Sequence, residues 1–169
     1  LENRMRFLRE IIASVRDNIG PNTVLGLRIS ADELQEEGNS PDELLEVCRL
    51  VGNEGALDYL NVIAGSMIGL KGSIHVVPPM NIEAGYLAPH TEAVKKLVPI
   101  PVFVAGRINQ PQEAERVLKS GQADMIALAR QMMYDPRWAW HAAEELGALP
   151  AFPPQYGRAH RNFNRRPAP

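Results

Sequence analysis

Four times along the chain a short apolar run is followed by a stretch whose apolar positions recur at helical spacing. The runs are VLGLRIS at Val24–Ser30, LDYLNVIA at Leu57–Ala64, PVFVA at Pro101–Ala105 and MIALA at Met125–Ala129. Runs this continuous predict strands buried on both faces of a parallel sheet. The intervening spacing predicts helices over Ser40–Asn53, His90–Leu97 and Gln110–Ser120, and a last one from Asp135-Pro136 to Gly147. Ser40-Pro41-Asp42-Glu43 combines a capping residue, a first-turn proline and a capping-box glutamate. An opening helix, Leu1–Ile19, carries Leu8, Ile11, Ile12, Val15 and Ile19 as one apolar stripe, and Gly20-Pro21 stop it. A helix with such a stripe needs a partner surface, so the chain is expected to be the C-terminal part of a longer protein.

Strands alternating with helices argue for an α/β fold with a parallel sheet. Four such units are half of a (β/α)8 barrel, or a small doubly wound sheet. The doubly wound sheet usually carries GxGxxG at its first strand-to-helix turn. Gly65 and Gly69 do not fit that pattern, which favours the half-barrel. The segment Ser66–Leu87 is too long for a plain connector and is expected to lie over the mouth of a site. His75 and Tyr86 are its candidate substrate-side groups. The tail from residue 148 to 169 is rich in Pro and Arg. Its Pro153-Pro154-Gln155-Tyr156 is expected to pack on something, a neighbouring protomer included.

The chemistry concentrates at strand ends. The third run finishes in Gly106-Arg107 and the fourth in Ala129-Arg130. Small residues let backbone N–H groups approach an anion, and guanidinium supplies a planar, permanently charged fork. In a parallel barrel the last two strands carry such pairs when their loops hold a phosphate. Arg28 interrupts the first apolar run. It either faces an anionic ligand atom at the barrel mouth or closes a structural ion pair, and the residues alone leave both open. The acidic loop Ala31–Asn39 reads as a solvated surface.

Composition narrows the field. The chain has 169 residues, 45% of them hydrophobic and 22% charged, as in an ordinary single globular domain. A net charge of −2 excludes bulk attraction to nucleic acid or membrane, and no apolar stretch approaches membrane-helix length. The only basic cluster, Arg158, Arg161, Arg165 and Arg166, reads as a solvated or ion-paired tail. The one cysteine, Cys48, is expected in the core, and no metal-ligating set is expected. The expected compartment is the cytoplasm.

LENRMRFLREII, GLRIS, PVFVAGRI and ADMIALARQMMYDPRW resemble the C-terminal half of Old Yellow Enzyme-like flavin oxidoreductases. That group includes the ene-reductases and the barrel domains of 2,4-dienoyl-CoA reductase and trimethylamine dehydrogenase. The resemblance implies strands five to eight of an FMN-binding TIM barrel over residues 1–147, followed by the tail. It implies that Arg28 contacts the flavin N1/O2 edge, that Ala64 and Gly65 line the flavin, that Gly106, Ala129 and Arg130 hold its phosphate, and that Arg107 contacts either the phosphate or only the loop. Arg158 would reach the active site of an adjacent subunit in a homo-oligomer. The lack of cysteines past the barrel favours the branch without an iron–sulfur cluster. The implied activity is ping-pong: NAD(P)H reduces FMN, which passes hydride to an activated alkene, with the proton donor supplied from elsewhere. An N-terminal half-barrel, in the same or a separate chain, is the implied partner. The competing readings are another phosphate-binding TIM-barrel enzyme, and a non-catalytic half-barrel that needs a partner chain.

Overall fold

A four-stranded parallel sheet, with its strands in chain order, is the frame of the molecule. The computed structural model describes residues 1–67, 76, 78–79 and 81–157. The elements run α1 (Glu2–Ile19), β1 (Gly26–Asp32), α2 (Pro41–Asn53), β2 (Tyr59–Ala64), α3 (Ala88–Lys95), β3 (Val102–Val104), α4 (Pro111–Lys119) and β4 (Met125–Ile126). Two short helices follow, α5 (Arg130–Tyr134) and α6 (Trp138–Glu145), and then a 3-10 turn at Pro154–Tyr156. A doubly wound sheet would reverse its strand order. This one does not, and the helices share one face, as in half of a (β/α)8 barrel.

That shared face is the core. Leu60, Val62, Val102 and Val104 point toward the helices and are fully buried. They meet Met5 and Ile12 of α1, Cys48 and Val51 of α2, Val94 of α3, and Val117 of α4. Each such aliphatic side chain contributes about 1.5–3 kcal/mol by leaving water. The expectation of strands buried on both faces is corrected here: burial alternates along β2, and the odd-numbered positions are only half-buried. On that second, concave face Tyr59 and Phe103 stack with ring centroids 4.8 Å apart. Gly26 allows this, because a Cβ there would lie 2.0 Å from the Tyr59 ring.

Local signals explain most boundaries. Ser40 caps α2 by accepting from the Glu43 N–H at 3.3 Å. The reciprocal half of the capping box is absent because the Glu43 carboxylate is taken by Arg4 of α1. Gly20 ends α1 in a left-handed conformation (φ 74°). The apolar stripe of α1 is shifted from the expected one. Met5 and Ile12 are buried, while Phe7, Ile11 and Val15 form an exposed row at i, i+4, i+8. β4 is shorter than the apolar run, though Ala127 still donates to the Val104 carbonyl at 2.7 Å.

Two aspartates pin the N-terminal ends of the strands. Asp58 accepts from the Leu25 N–H at 2.7 Å and pairs with Arg16 of α1 at 2.6 Å. Asp124 accepts from the Val102 N–H at 2.9 Å and pairs with Lys95 of α3 at 2.8 Å. Each carboxylate therefore ties a strand to its neighbour and to a helix. The described part of the tail, up to Gly157, packs on its own chain. Trp140 of α6 meets Phe152 and Tyr156 at 5.6 and 5.2 Å, and Arg137 lies 4.8 Å from the Tyr156 ring centroid.

Candidate functional site

The C-terminal ends of the strands open into a cleft of roughly 700 Å³. Pleating decides which residues reach it. Register places Arg28 opposite Asn61, and Asn61 opposite Phe103, on the concave face. Arg28 is exposed there and lines the cleft. Among the described residues it has no hydrogen bond or ion pair.

The far wall is made by the ends of β3 and β4. Gly106 and Arg107 are both left-handed, with φ of 109° and 55°. A non-glycine residue in that region carries backbone strain of about 1–3 kcal/mol, and such strain concentrates at functional turns. The Gly106 carbonyl accepts from the Gly85 N–H at 2.7 Å. The Arg107 guanidinium donates to the Ile82 carbonyl. Arg107 therefore lines the cleft but spends a donor on the loop above it. Ala129 and Arg130 also line the cleft, and Arg130 opens the five-residue α5. The small residues Ala105, Gly106, Ala127 and Ala129 also line the cleft.

Tyr86 sits between these walls. Its ring packs on Gly106, where a Cβ would lie 3.0 Å from Cε1 and 3.1 Å from Cδ1. Burial raises the Tyr86 phenol above its ordinary value, and the positive charges of Arg130 and Arg28 pull it partly back. Arg28, Tyr86 and Arg130 all line the one cleft.

Arg28, Tyr86, Gly106, Arg107, Ala129 and Arg130 are brought together. Ala64 and Gly65 are not. Ala64 shares the helix-facing side of β2 with Leu60 and Val62 and is fully buried in the core. Gly65 is buried and ties β1 to β2, donating to the Asp32 carbonyl at 2.7 Å and accepting from Ser30 Oγ at 3.2 Å. His75 and Arg158 lie outside the described residues. The sequence reading missed Asn61, Asn109, Gln131 and Tyr134, which also line the cleft. Strand alternation could have found Asn61, because it pairs with Arg28. Asn109 sits on an irregular turn, and Gln131 and Tyr134 on the five-residue α5, too short to carry a periodic signal.

Two cations, backbone N–H groups at small residues and a phenol suit an anionic ligand with an extended body. The volume is in the range of cofactor sites, roughly 300–1,000 Å³. FMN, with a phosphate at one end and a polarisable ring at the other, fits this donor set.

Comparisons with known proteins agree. The model of the NADH:flavin oxidoreductase / NADH oxidase family matches residues 1–148. An NADH oxidase of Thermoanaerobacter brockii is 34% identical over 85% of this chain and 21% of its own. An NADPH dehydrogenase of Geobacillus sp. (strain WCH70) is 34% identical over 95% of this chain and 44% of its own. A solved 2-naphthoyl-CoA reductase complex superposes with a TM-score of 0.71 at 25% identity, over 88% of this chain and 22% of its own. The chain thus spans less than half the length of the proteins it matches. On its residues, its strand order and this match over most of its length, the chain belongs to the NADH:flavin oxidoreductase / NADH oxidase family.

Proposed function

We propose that this chain is the flavin-gripping half of an FMN-dependent NAD(P)H oxidoreductase of the ene-reductase type. The observation that carries the reading is the presence of Arg28 and Arg130 on one cleft, with Tyr86 beside them in its lining. In this reading Arg130 and the N–H groups of the Gly106 turn hold the phosphate. Arg107 steadies the loop above that turn through Ile82. Arg28 presents fixed positive charge to the pyrimidine edge of the ring, where a reduced flavin carries negative charge. When bound, FMN supplies hydride chemistry, taking hydride from NAD(P)H and delivering it to an activated alkene. The protein's share is orientation and electrostatics. Ene-reductase chemistry rests on the sequence resemblance; the proton donor belongs to residues outside this chain.

The same reading assigns the strands as five to eight and requires an N-terminal half-barrel, in the same or a separate chain. The half-buried concave face and the exposed row Phe7, Ile11 and Val15 are surfaces that such a half would cover. A homo-oligomer in the cytoplasm, where reduced nicotinamide is available, completes the proposal. The test is reconstitution. The chain joined to its N-terminal half should be yellow and oxidise NADPH in the presence of an enone, and the 169-residue chain alone should turn over little. A complete barrel that stays colourless with added FMN, or robust turnover by the chain alone, would contradict the proposal.

A further inference from the structure

Tyr86 packs on a glycine of the anion turn and lines the cleft together with both arginines. Its ring lies so near Gly106 that a Cβ there would be 3.0 Å from Cε1, a few tenths of an ångström too close. The chain on either side of it is anchored to the same turn: Gly85 donates to the Gly106 carbonyl, and Leu87 lies 3.4 Å from where a Gly106 Cβ would be. Three consecutive residues of the loop before α3 thus rest on the strand-end turn of β3. Tyr86 itself lines the cleft, together with Arg28 and Arg130.

We propose that Tyr86 is a specificity-determining residue of the cleft: its ring buttresses the Gly106 turn, and its hydroxyl donates a hydrogen bond to the phosphate of the bound ligand. The assignment deepens the flavin reading and rests on it for the identity of the ligand, though not for the phosphate chemistry. A phenol suits this position. It is neutral at physiological pH, and its burial keeps it protonated and able to donate. Between two guanidinium groups it adds a directional bond where they supply charge. It would reward an anionic oxygen at the Arg130 end over a neutral hydroxyl there.

The two parts separate by substitution. Tyr86→Phe keeps the ring and removes only the donor; Tyr86→Leu removes the buttress as well. FMN, riboflavin and inorganic phosphate are titrated against the full chain, following flavin fluorescence and, for phosphate, the heat of binding. A hydrogen bond to a charged acceptor corresponds to at least about tenfold in affinity. Tyr86→Phe is expected to weaken FMN and inorganic phosphate by that factor, leave riboflavin within about twofold, and keep the wild-type urea midpoint. Tyr86→Leu is expected to weaken all three. Equal FMN affinity of Tyr86→Phe and wild type would overturn the proposal, as would an equal loss for FMN and riboflavin. If the wild-type chain binds phosphate but not FMN, and Tyr86→Phe weakens phosphate, the flavin reading falls and the role of Tyr86 stands. A wild-type chain that binds neither overturns both.

Discussion

Replacing Gly106 by alanine loads the anion turn in two separable ways. The first is conformational. At φ 109° an L-residue is strained, and the cost is about 1–3 kcal/mol. The second is steric. The new methyl would sit 3.0 Å from Tyr86 Cε1 and 3.4 Å from Leu87 Cγ, a few tenths of an ångström too close. Leu87 is buried, so the loop cannot retreat without opening core, and overpacking of this kind costs about 1–3 kcal/mol. Together the Gly106→Ala variant should lose roughly 2–6 kcal/mol, a large share of the roughly 5–15 kcal/mol typical of a domain. Urea denaturation followed by tryptophan fluorescence reads the loss, since Trp138 donates to the Asn109 carbonyl three residues beyond the turn. Adding Tyr86→Ala should remove the steric part and leave the conformational part, a coupling of about 0.5–3 kcal/mol. Full stability of Gly106→Ala would refute the turn geometry. Strict additivity of the two substitutions would refute the packing of Tyr86 on Gly106.

The other predictions concern the scaffold. Burial pushes the Asp124 carboxyl up, but Lys95 and the Val102 N–H outweigh it and hold it below its ordinary value of 3.8. Its stabilisation is therefore complete above that value and is lost as the pH falls through the lower, folded-state one. Asp124→Asn should flatten the acid limb of stability by at most about 1 kcal/mol, read as urea midpoints at a series of pH values; an unchanged slope would contradict the pairing. Cys48 is fully buried and its thiol is pushed up to about 12, so a thiol reagent at pH 8 should leave it unlabelled until urea unfolds the chain. Labelling at native-state rates typical of surface thiols would show that α2 is not seated as described. Trp140→Ala removes the partner of Phe152 and Tyr156, so proteolytic cleavage near residue 150 should accelerate while the core midpoint moves little. Unchanged cleavage would mean that the aromatic cluster does not hold the tail.

Periodicity and turn chemistry carried most of the fold. Ser40-Pro41 and Gly20 mark helix ends because capping is local, so α2 and the end of α1 fall where the residues place them. Gly106-Arg107 and Ala129-Arg130 were legible as strand-end pairs because an apolar run that stops on a small residue and a cation has few other uses. Depth within the sheet was not legible. Ala64 and Ile63 are adjacent in an apolar run, yet pleating sends Ala64 into the core and Ile63 to the cleft. A run apolar on both faces does not say which face meets helices. The α1 stripe misled for a related reason: Ile11 and Ile12 are equally apolar, and only the position of the sheet makes Ile12 the buried one. Tyr86 could be named as a candidate, but its seat on Gly106 is a contact between residues twenty apart and leaves no local trace.

The central claim is that one ligand spans Arg28 and Arg130, with its phosphate at the Arg130 end. Parallel titrations of FMN and riboflavin against wild type, Arg28→Met and Arg130→Met test it directly. The account predicts that each substitution weakens FMN by about tenfold or more, and that riboflavin weakens only with Arg28→Met. An Arg130→Met chain that still prefers FMN over riboflavin as strongly as the wild type does would contradict it.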